Sequence, residues 1–312
     1  MIEGIPRISV LVITYNQEDV IKRAIDSLLA QKDYIYEICV SDDCSKDRTW
    51  EILQEYSANY PGLFVLNRND PNVGIFENIE KTWNMPSGDI IYQLSGDDEC
   101  GEGWLKKVVS FIKQEQIDYR KELFCIYGDF KCIYPNGDSC VISNKRIKVS
   151  NDVLESATRG RVSNRSCCYS RLILKKFVCV SQGRSYMVEE AQDRQLQLFS
   201  EKNYYIPKVG NIYYARIGVS SNMSTAILNE RSNVYTYFSN FLIDYGHIVS
   251  RKVGNYFRYK DNFAKGKYTR AFWFWLNSVD FSLNDAKMFL RWVFFAILRR
   301  LPHNQPISNY KI

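Results

Sequence analysis

Two acidic clusters carry the first chemical signal in the chain: Asp42-Asp43 in "YEICVSDD", and Asp97-Asp98-Glu99 behind Ser95-Gly96 in "YQLSGDDEC". Each closes an apolar run of strand character. Carboxylates held side by side attract a hard divalent cation such as Mg²⁺ or Mn²⁺, which takes oxygen ligands and commonly bridges to substrate phosphates. The competing reading is that each cluster caps the helix that follows, since acids are favourable in a first helical turn. A third group, Glu189, Glu190 and Asp193 in "MVEEAQDRQLQL", supplies carboxylates either for a general base or for a solvated helix face.

Other chemistries are poorly supplied. His247 and His303 are the only histidines, too few for a histidine triad or a histidine metal site. Nine cysteines are scattered without a CxxC spacing. With no basic, apolar leader in "MIEGIPRISVLVITYN", the expectation is a reduced cytosolic chain with free thiols. The adjacent Cys167 and Cys168 read as small buried strand residues, with nothing nearby in sequence to activate a thiolate. Neither GxGxxG nor GxxxxGK[ST] occurs, so a dinucleotide fingerprint and a P-loop are both missing, and any phosphate would have to be held through a metal.

These residues need a scaffold, and strand and helix signals alternate to build one. "RISVLVITYN" reads as a buried strand, followed by a helix in "NQEDVIKRAIDSLLAQ" with Asn16 as its expected N-cap. A second strand, "YEICVSDD", precedes a helix in "SKDRTWEILQEYSANY" with Ser45 as its expected cap. A third strand "GLFVLNRN", a third helix "GIFENIEKTWNM" and a fourth strand "GDIIYQLSGDD" complete a β-α-β-α-β-α-β order. That order predicts an α/β fold with a mainly parallel sheet and helices on both faces. Ligands bind such sheets beyond the carboxyl ends of the strands, where both acidic clusters fall.

In this order, "SVLVITYNQEDVIKRAIDSLLAQ", "EICVSDDCSKDRTWEIL", "NVGIFENIEKTWNMPSGDIIYQLSGDDE" and "VEEAQDRQLQL" resemble the family 2 glycosyltransferases of bacterial cell-surface polysaccharide assembly. The resemblance implies a GT-A fold and an inverting transfer of sugar from a nucleotide diphosphate donor, UDP-linked in most members. The acceptor would be a hydroxyl of a saccharide or lipid-linked molecule. It further implies that Thr14, Tyr15 and Asn16, with Glu18 nearby, cradle the nucleobase, and that Asp42 and Asp43 contact uracil and ribose. Asn72, Gly74 and Asn78 match the turn leading into the donor site. Ser95, Gly96, Asp97 and Asp98 fall on the family's DxD-type motif for Mn²⁺ or Mg²⁺. Here Ser95 stands where many members have the first Asp, leaving Asp97 as the leading metal ligand with Asp98 beside it. The family's base-bearing "ED" reads Glu189-Glu190 in this chain, making Glu190 the leading base and Glu189 and Asp193 its rivals. Departures at both motifs keep open a catalytically weak GT-A-like protein that either binds sugar nucleotides or serves as a scaffold. A nucleotidyltransferase would want an N-terminal glycine-rich phosphate loop, which is missing.

Between the two acidic regions, "LFCIYGDFKCIYPNGDSCVIS" reads as a hairpin turning at Asn136-Gly137. Arg159, Arg161, Arg165 and Arg171 follow, either to meet acceptor phosphates or as a solvated basic face. The expected boundaries are a GT-A domain over 1–218 and a helical, aromatic, basic extension over 219–312. The formal charge of +6 is uneven: residues 251–312 hold twelve Lys or Arg against three acids, a local +9. In the tail, the uninterrupted apolar run Trp292–Leu298 is far short of the roughly 20 residues that span a bilayer. With Arg291, Arg299 and Arg300 it fits a helix lying on an anionic membrane at the inner face of the plasma membrane, or one docking on the domain or a second subunit. Nothing accompanies the basic tail that would make it a nucleic-acid module.

Overall fold

The computed structural model describes residues 5–145, 164–177, 192, 193, 195, 196, 199–215, 255, 258, 259, 262 and 267–277. The chain divides into two compact units, Met1–Ser221 and Asn222–Ile312. In the first unit the order is β1 (Ile8–Thr14), α1 (Ile21–Leu29), β2 (Glu37–Asp42), α2 (Thr49–Asn59), β3 (Phe64–Arg68), α3 (Ile75–Thr82) and β4 (Ile90–Ser95). There follow β5 (Glu99–Cys100), α4 (Trp104–Gln114), β6 (Phe124–Ile133), β7 (Ser139–Ile142), β8 (Cys167–Ser170), the single turn α5 (Arg171–Leu174) and β9 (Lys202–Tyr214). In the second unit the described helix is α6 (Tyr268–Leu276).

The strands form one sheet in the order β3-β2-β1-β4-β8-β6-β9-β5, with β7 on β6. The first four are parallel, as the alternating pattern predicts. Strand β8 is antiparallel to both β4 and β6 and so reverses direction inside the sheet. Strand β9 then runs parallel to β6 through a register shift around Asp129. Cys167 and Cys168 lie buried on β8, and the eight described cysteines are free thiols. Burial pushes the Cys39 and Cys100 thiols up to about 12, which keeps them protonated packing groups.

Alternation along the central strands splits the core in two. Val10, Val12, Ile38, Val40, Tyr92 and Leu94 pack with α1 and α4 on one face. Leu11, Cys39, Ile91, Cys125 and Tyr169 pack on the other. Strand β3 is the sheet edge and only half-buried.

Three local expectations change. Helix α1 starts at Ile21 without a side-chain cap, and Asn16 instead takes φ +50 with its Oδ1 accepting from the Lys46 amide at 2.7 Å. Ser45 caps nothing: its hydroxyl and amide both donate to Asp42, while the Thr49 amide at the start of α2 donates to Asp47 Oδ1 at 3.0 Å. In the β6–β7 hairpin only Gly137 has positive φ, at +86. The Gly137 amide donates to Tyr134 O and the Tyr134 amide to Asp138 O, closing a three-residue loop rather than a two-residue turn with both central residues left-handed. Pro135 explains the choice, because its ring holds φ negative at the first loop position.

Trp104, fully buried at the start of α4, is seated between two glycines. A Cβ at Gly128 would come within 2.7 Å of the indole, and one at Gly210 within 2.7 Å of two of its ring atoms. We expect Gly210→Ala to destabilise the protein by about 1–3 kcal/mol through overpacking. The check is the midpoint of urea unfolding.

Candidate active site

Register sets the site. In the parallel trio β2-β1-β4, Thr14 pairs with Asp42 and Ile13 with Ser95, so three strands deliver their last residues to one crest. Thr14 is 3% exposed and its Oγ1 has no hydrogen-bond partner among the described residues. A buried orphan hydroxyl at a strand end is a group awaiting a partner. Next to it Tyr15 is 45% exposed, one of the larger exposed rings of this unit.

The acidic pair at the end of β2 is tied into the protein. Asp42 is fully buried, and burial raises its carboxyl above the usual range against the hydrogen bonds that hold it. One oxygen accepts from the Ser45 hydroxyl and the other from the Ser45 amide at 2.9 Å, with Arg68 Nε 3.6 Å away. Asp43 organises the next loop. Its carboxylate accepts from Asn69 Nδ2, the Val73 amide and the Gly74 amide, each at 2.9 Å, and Asn72 Nδ2 donates to its carbonyl at 2.7 Å. Asn78 locks the same loop to β2: its Oδ1 accepts from the Ser41 hydroxyl at 2.6 Å and from Asn69 Nδ2 at 2.8 Å. Asn72, Gly74 and Asn78 therefore gather around Asp43, with Gly74 at φ +88, where a side chain is strained.

The loops after β1 and β2 are laced together. The Asn16 amide donates to Ser45 Oγ, Glu18 Oε2 accepts from the Arg48 amide at 2.9 Å, and the Glu18 amide donates to Asp47 Oδ2. Glu18 thus acts on backbone across the crest.

At the end of β4, Ser95 and Asp97 are half-buried, whereas Gly96 and Asp98 are buried. Gly96 packs so closely that a Cβ would lie 2.2 Å from Gln17 Oε1 and 3.1 Å from the Ile13 carbonyl oxygen. Asp98 Oδ2 is 3.3 Å from Arg165 Nη1, and the Tyr214 amide donates to its Oδ1 at 3.4 Å. Arg165 lies over the Tyr213 ring at 3.8 Å. Arg23 lies over Tyr214 at 3.5 Å, and Tyr214 in turn donates its hydroxyl to Glu99. Burial and the Glu99 contact push the Tyr214 phenol up to about 12, so it stays a neutral donor.

Among the described residues no three His, Cys, Asp or Glu side chains cluster to cage a metal. That donor set still fits a magnesium-like ion, which takes one or two protein carboxylates and fills the rest of its octahedron with water and substrate phosphates. Of the two motif acids Asp97 is half-buried, and the buried Asp98 pairs with Arg165.

Of the base candidates, Glu189 and Glu190 lie outside the described residues. Asp193 is half-buried and close enough to Tyr127 and Cys167 for its charge to add to their raised pKa values, which burial dominates. Its neighbour Gln192 is buried, with Nε2 donating to Gln93 Oε1 on β4 and approaching the Tyr169 hydroxyl at 3.4 Å. The Gln192–Gln93 contact ties the residue before Asp193 to the strand that carries Ser95. Sequence reading passed over Gln192, Arg23 and the Tyr213-Tyr214 pair. The doubled tyrosine at the end of a strand was the one available signal.

Residues 9–120 match the family described as Glycosyl transferase family 2. Similarity to that family covers this N-terminal stretch, about a third of the chain. The chain is 30% identical over 111 residues to the putative glycosyltransferase EpsE of Bacillus subtilis, covering 36% of this chain and 40% of that protein. It is 24% identical over 259 residues to the chondroitin synthase of Pasteurella multocida, covering 82% of this chain and 24% of the synthase. An uncharacterized protein of Mycobacterium tuberculosis is 29% identical over 130 residues, 41% of this chain. The match spans 36% of that relative's length, about a third. Among solved structures, S. aureus TarS 1–349 in complex with UDP-GlcNAc superposes with a TM-score of 0.63 at 16% identity, covering 91% of this chain and 79% of that one. The fold of the family 2 domain is therefore the GT-A fold expected from the motif order.

The Asp43 cradle makes a direct prediction. Asp43→Ala leaves two backbone amides of the 69–74 loop without their acceptor, and should cost about 2–3 kcal/mol of stability. Urea unfolding measures it, and hydrogen exchange at Val73 and Gly74 should rise with it.

Proposed function

We propose that this chain is an inverting glycosyltransferase that moves a sugar from a nucleotide diphosphate donor, UDP-linked, to a hydroxyl of a saccharide or lipid-linked acceptor in polysaccharide assembly. The observation that carries the reading is the crest of β2-β1-β4, where the orphan Thr14 hydroxyl, the exposed Tyr15 ring and Asp97 stand at adjacent strand ends. TarS, a neighbour in fold, has been captured with UDP-GlcNAc and with UDP, which supports a nucleotide-sugar donor. The chondroitin and hyaluronan synthases of Pasteurella multocida among the relatives support polysaccharide as product.

In this reading Thr14 and Tyr15 receive the nucleobase, Oγ1 as hydrogen-bond partner and the ring as a stacking face. Asp42 holds the crest through Ser45, and Asp43 shapes the Asn72–Asn78 wall. Asp97 would hold a Mn²⁺ or Mg²⁺ ion, and Asp98, paired with Arg165, holds the Asp97 loop. That ion, when bound, offsets the negative charge of the leaving diphosphate. A carboxylate among Glu190, Glu189 and Asp193 takes the proton of the acceptor hydroxyl as its oxygen bonds to the anomeric carbon. The bond from that carbon to the diphosphate breaks on the opposite side, which inverts the centre.

Calorimetric titration with UDP and with GDP, each with and without Mn²⁺, tests the donor site. UDP should bind in an ion-dependent manner, and Asp97→Asn should weaken it about tenfold or more, a loss of about 1.4 kcal/mol. Absence of binding by either nucleotide would leave the scaffold reading, which the Arg165–Asp98 pair favours by removing one carboxylate from the motif. Substituting the base by its amide should preserve UDP affinity and slow sugar transfer about 10²–10⁴-fold. Comparing Glu190→Gln, Glu189→Gln and Asp193→Asn identifies it.

For the second unit the proposal is attachment to the inner membrane face. Helix α6 exposes Phe272, Trp273 and Leu276, with Trp273 at 60%, in a segment whose sequence carries the local +9. Apolar rings beside basic residues suit the interface of an anionic bilayer. No helix among the described residues is long and apolar enough to cross one. Trp273→Glu should reduce co-sedimentation with anionic vesicles without changing UDP binding, and an unchanged partition would favour protein docking or self-association instead.

A further inference from the structure

Between the core-facing side of α1 (Ile21, Ala24, Ile25 and Leu28) and its exposed Lys22 and Asp26 runs a polar stripe whose partners follow in chain order along a single segment. Arg23, Ser27 and Gln31 stand four residues apart, an i, i+4, i+8 stripe that continues one residue past the C-cap and covers about 12 Å of helix length. Arg23 Nη2 donates to the carbonyl of Asp97 at 2.7 Å. Ser27 Oγ accepts from the Cys100 amide at 2.9 Å. Gln31, buried, donates from Nε2 to the Gly101 carbonyl at 3.0 Å and accepts at Oε1 from the Leu105 amide at 3.0 Å. The stripe therefore replaces the missing ladder partners of the chain from Asp97 to Leu105, which passes from the end of β4 to the start of α4 with only the two-residue β5 between them.

Arg23 is the member closest to the chemistry. Its guanidinium does three things at once: it donates to Asp97 O, stacks at 3.5 Å on Tyr214, and places Nε 3.2 Å from Glu99 Oε1. The last contact is ionic, since the Nε–H finds no aligned acceptor. The flanking peptides are pinned as well, Gly96 N to Ile13 O and Asp98 N to Ser95 O. Together these bonds fix the backbone on both sides of Asp97, whose carboxyl is the half-buried one of the motif.

We propose that Arg23 is a positioning residue for the donor site, holding the Asp97 carboxylate in place through the Asp97 carbonyl, with Ser27 and Gln31 extending the same clamp to α4. The proposal rests on the reading of Asp97 as the donor-site carboxylate. A planar guanidinium is needed, because an ammonium can replace one donor but neither the stacking nor the second charged contact. Arg23 also compensates for Ser95. With one carboxylate in place of a pair, the geometry at Asp97 cannot be averaged over two ligands and must come from the backbone.

The test compares Arg23→Met, Arg23→Lys and Ser27→Ala with Lys22→Met, an exposed control on the same helix. In the full-length chain without nucleotide, amide hydrogen exchange over residues 96–101 should be about tenfold faster in Arg23→Met and intermediate in Arg23→Lys, with the sheet strands unchanged. In calorimetry with UDP, the Mn²⁺ concentration for half-maximal binding should rise about threefold or more in the same order. Exchange over 96–101 that stays at the wild-type rate overturns the clamp, as does a uniform rise across the whole domain, which would mark a general stability role. Faster local exchange with an unchanged Mn²⁺ requirement overturns the link to the donor site. If wild-type protein binds no UDP, the donor reading fails, and the exchange result still decides whether Arg23 holds the loop. Should Arg23→Met not fold, Arg23→Lys and Ser27→Ala carry the same comparison.

Discussion

The site depends on the register of three parallel strands. A slip of one residue in β1 against β2 or β4 would turn Thr14 away from Asp42 and Ile13 away from Ser95, and would exchange the two core faces. The burial of Val10, Val12, Val40 and Leu94 on one face, with Leu11, Cys39 and Ile91 on the other, forbids that slip. The same apolar contacts that stabilise the domain thus align the functional crest, with no further device needed to hold the three strand ends level.

Upon that crest, charge is managed by pairing before any ligand arrives. Asp42 is buried against Ser45 and Arg68, Asp43 among three donors, Asp98 against Arg165, and Glu99 between Arg23 and Tyr214. A buried carboxylate without such partners would be strongly destabilising. Most of the acids that mark the motifs are therefore committed to building the loops, with Asp97 and Glu99 half-buried among them. An acid-rich motif and an acid-rich binding surface are different things here, because hydrogen-bond satisfaction consumes carboxylates first.

Much of this was legible along the chain. The strand ends at Asp42 and Ser95, the helices between them and the hairpin at residue 137 follow from local periodicity and turn chemistry, which act over a few residues. The helix caps were misassigned for a related reason. Asn16 and Ser45 are good cap residues by type, yet each found another partner, Lys46 N across the crest for one and the buried Asp42 at the end of its own strand for the other. Local propensity is weak beside a satisfied buried network.

The order of the first elements and the parallel pairing of the first four strands were legible in the sequence alone, because hydrophobic period and residue type are local properties, whereas the GT-A fold and the identity of the acidic motifs came with the family resemblance. Which long-range partners these acids and their backbone meet was decided by tertiary structure. Arg165 reaches Asp98 across 67 residues, and Arg23 reaches Asp97 across 74. No pattern in one dimension records such a meeting, since it is the packing of α1 and of the Asn164–Ser166 turn against the loop after β4 that creates it.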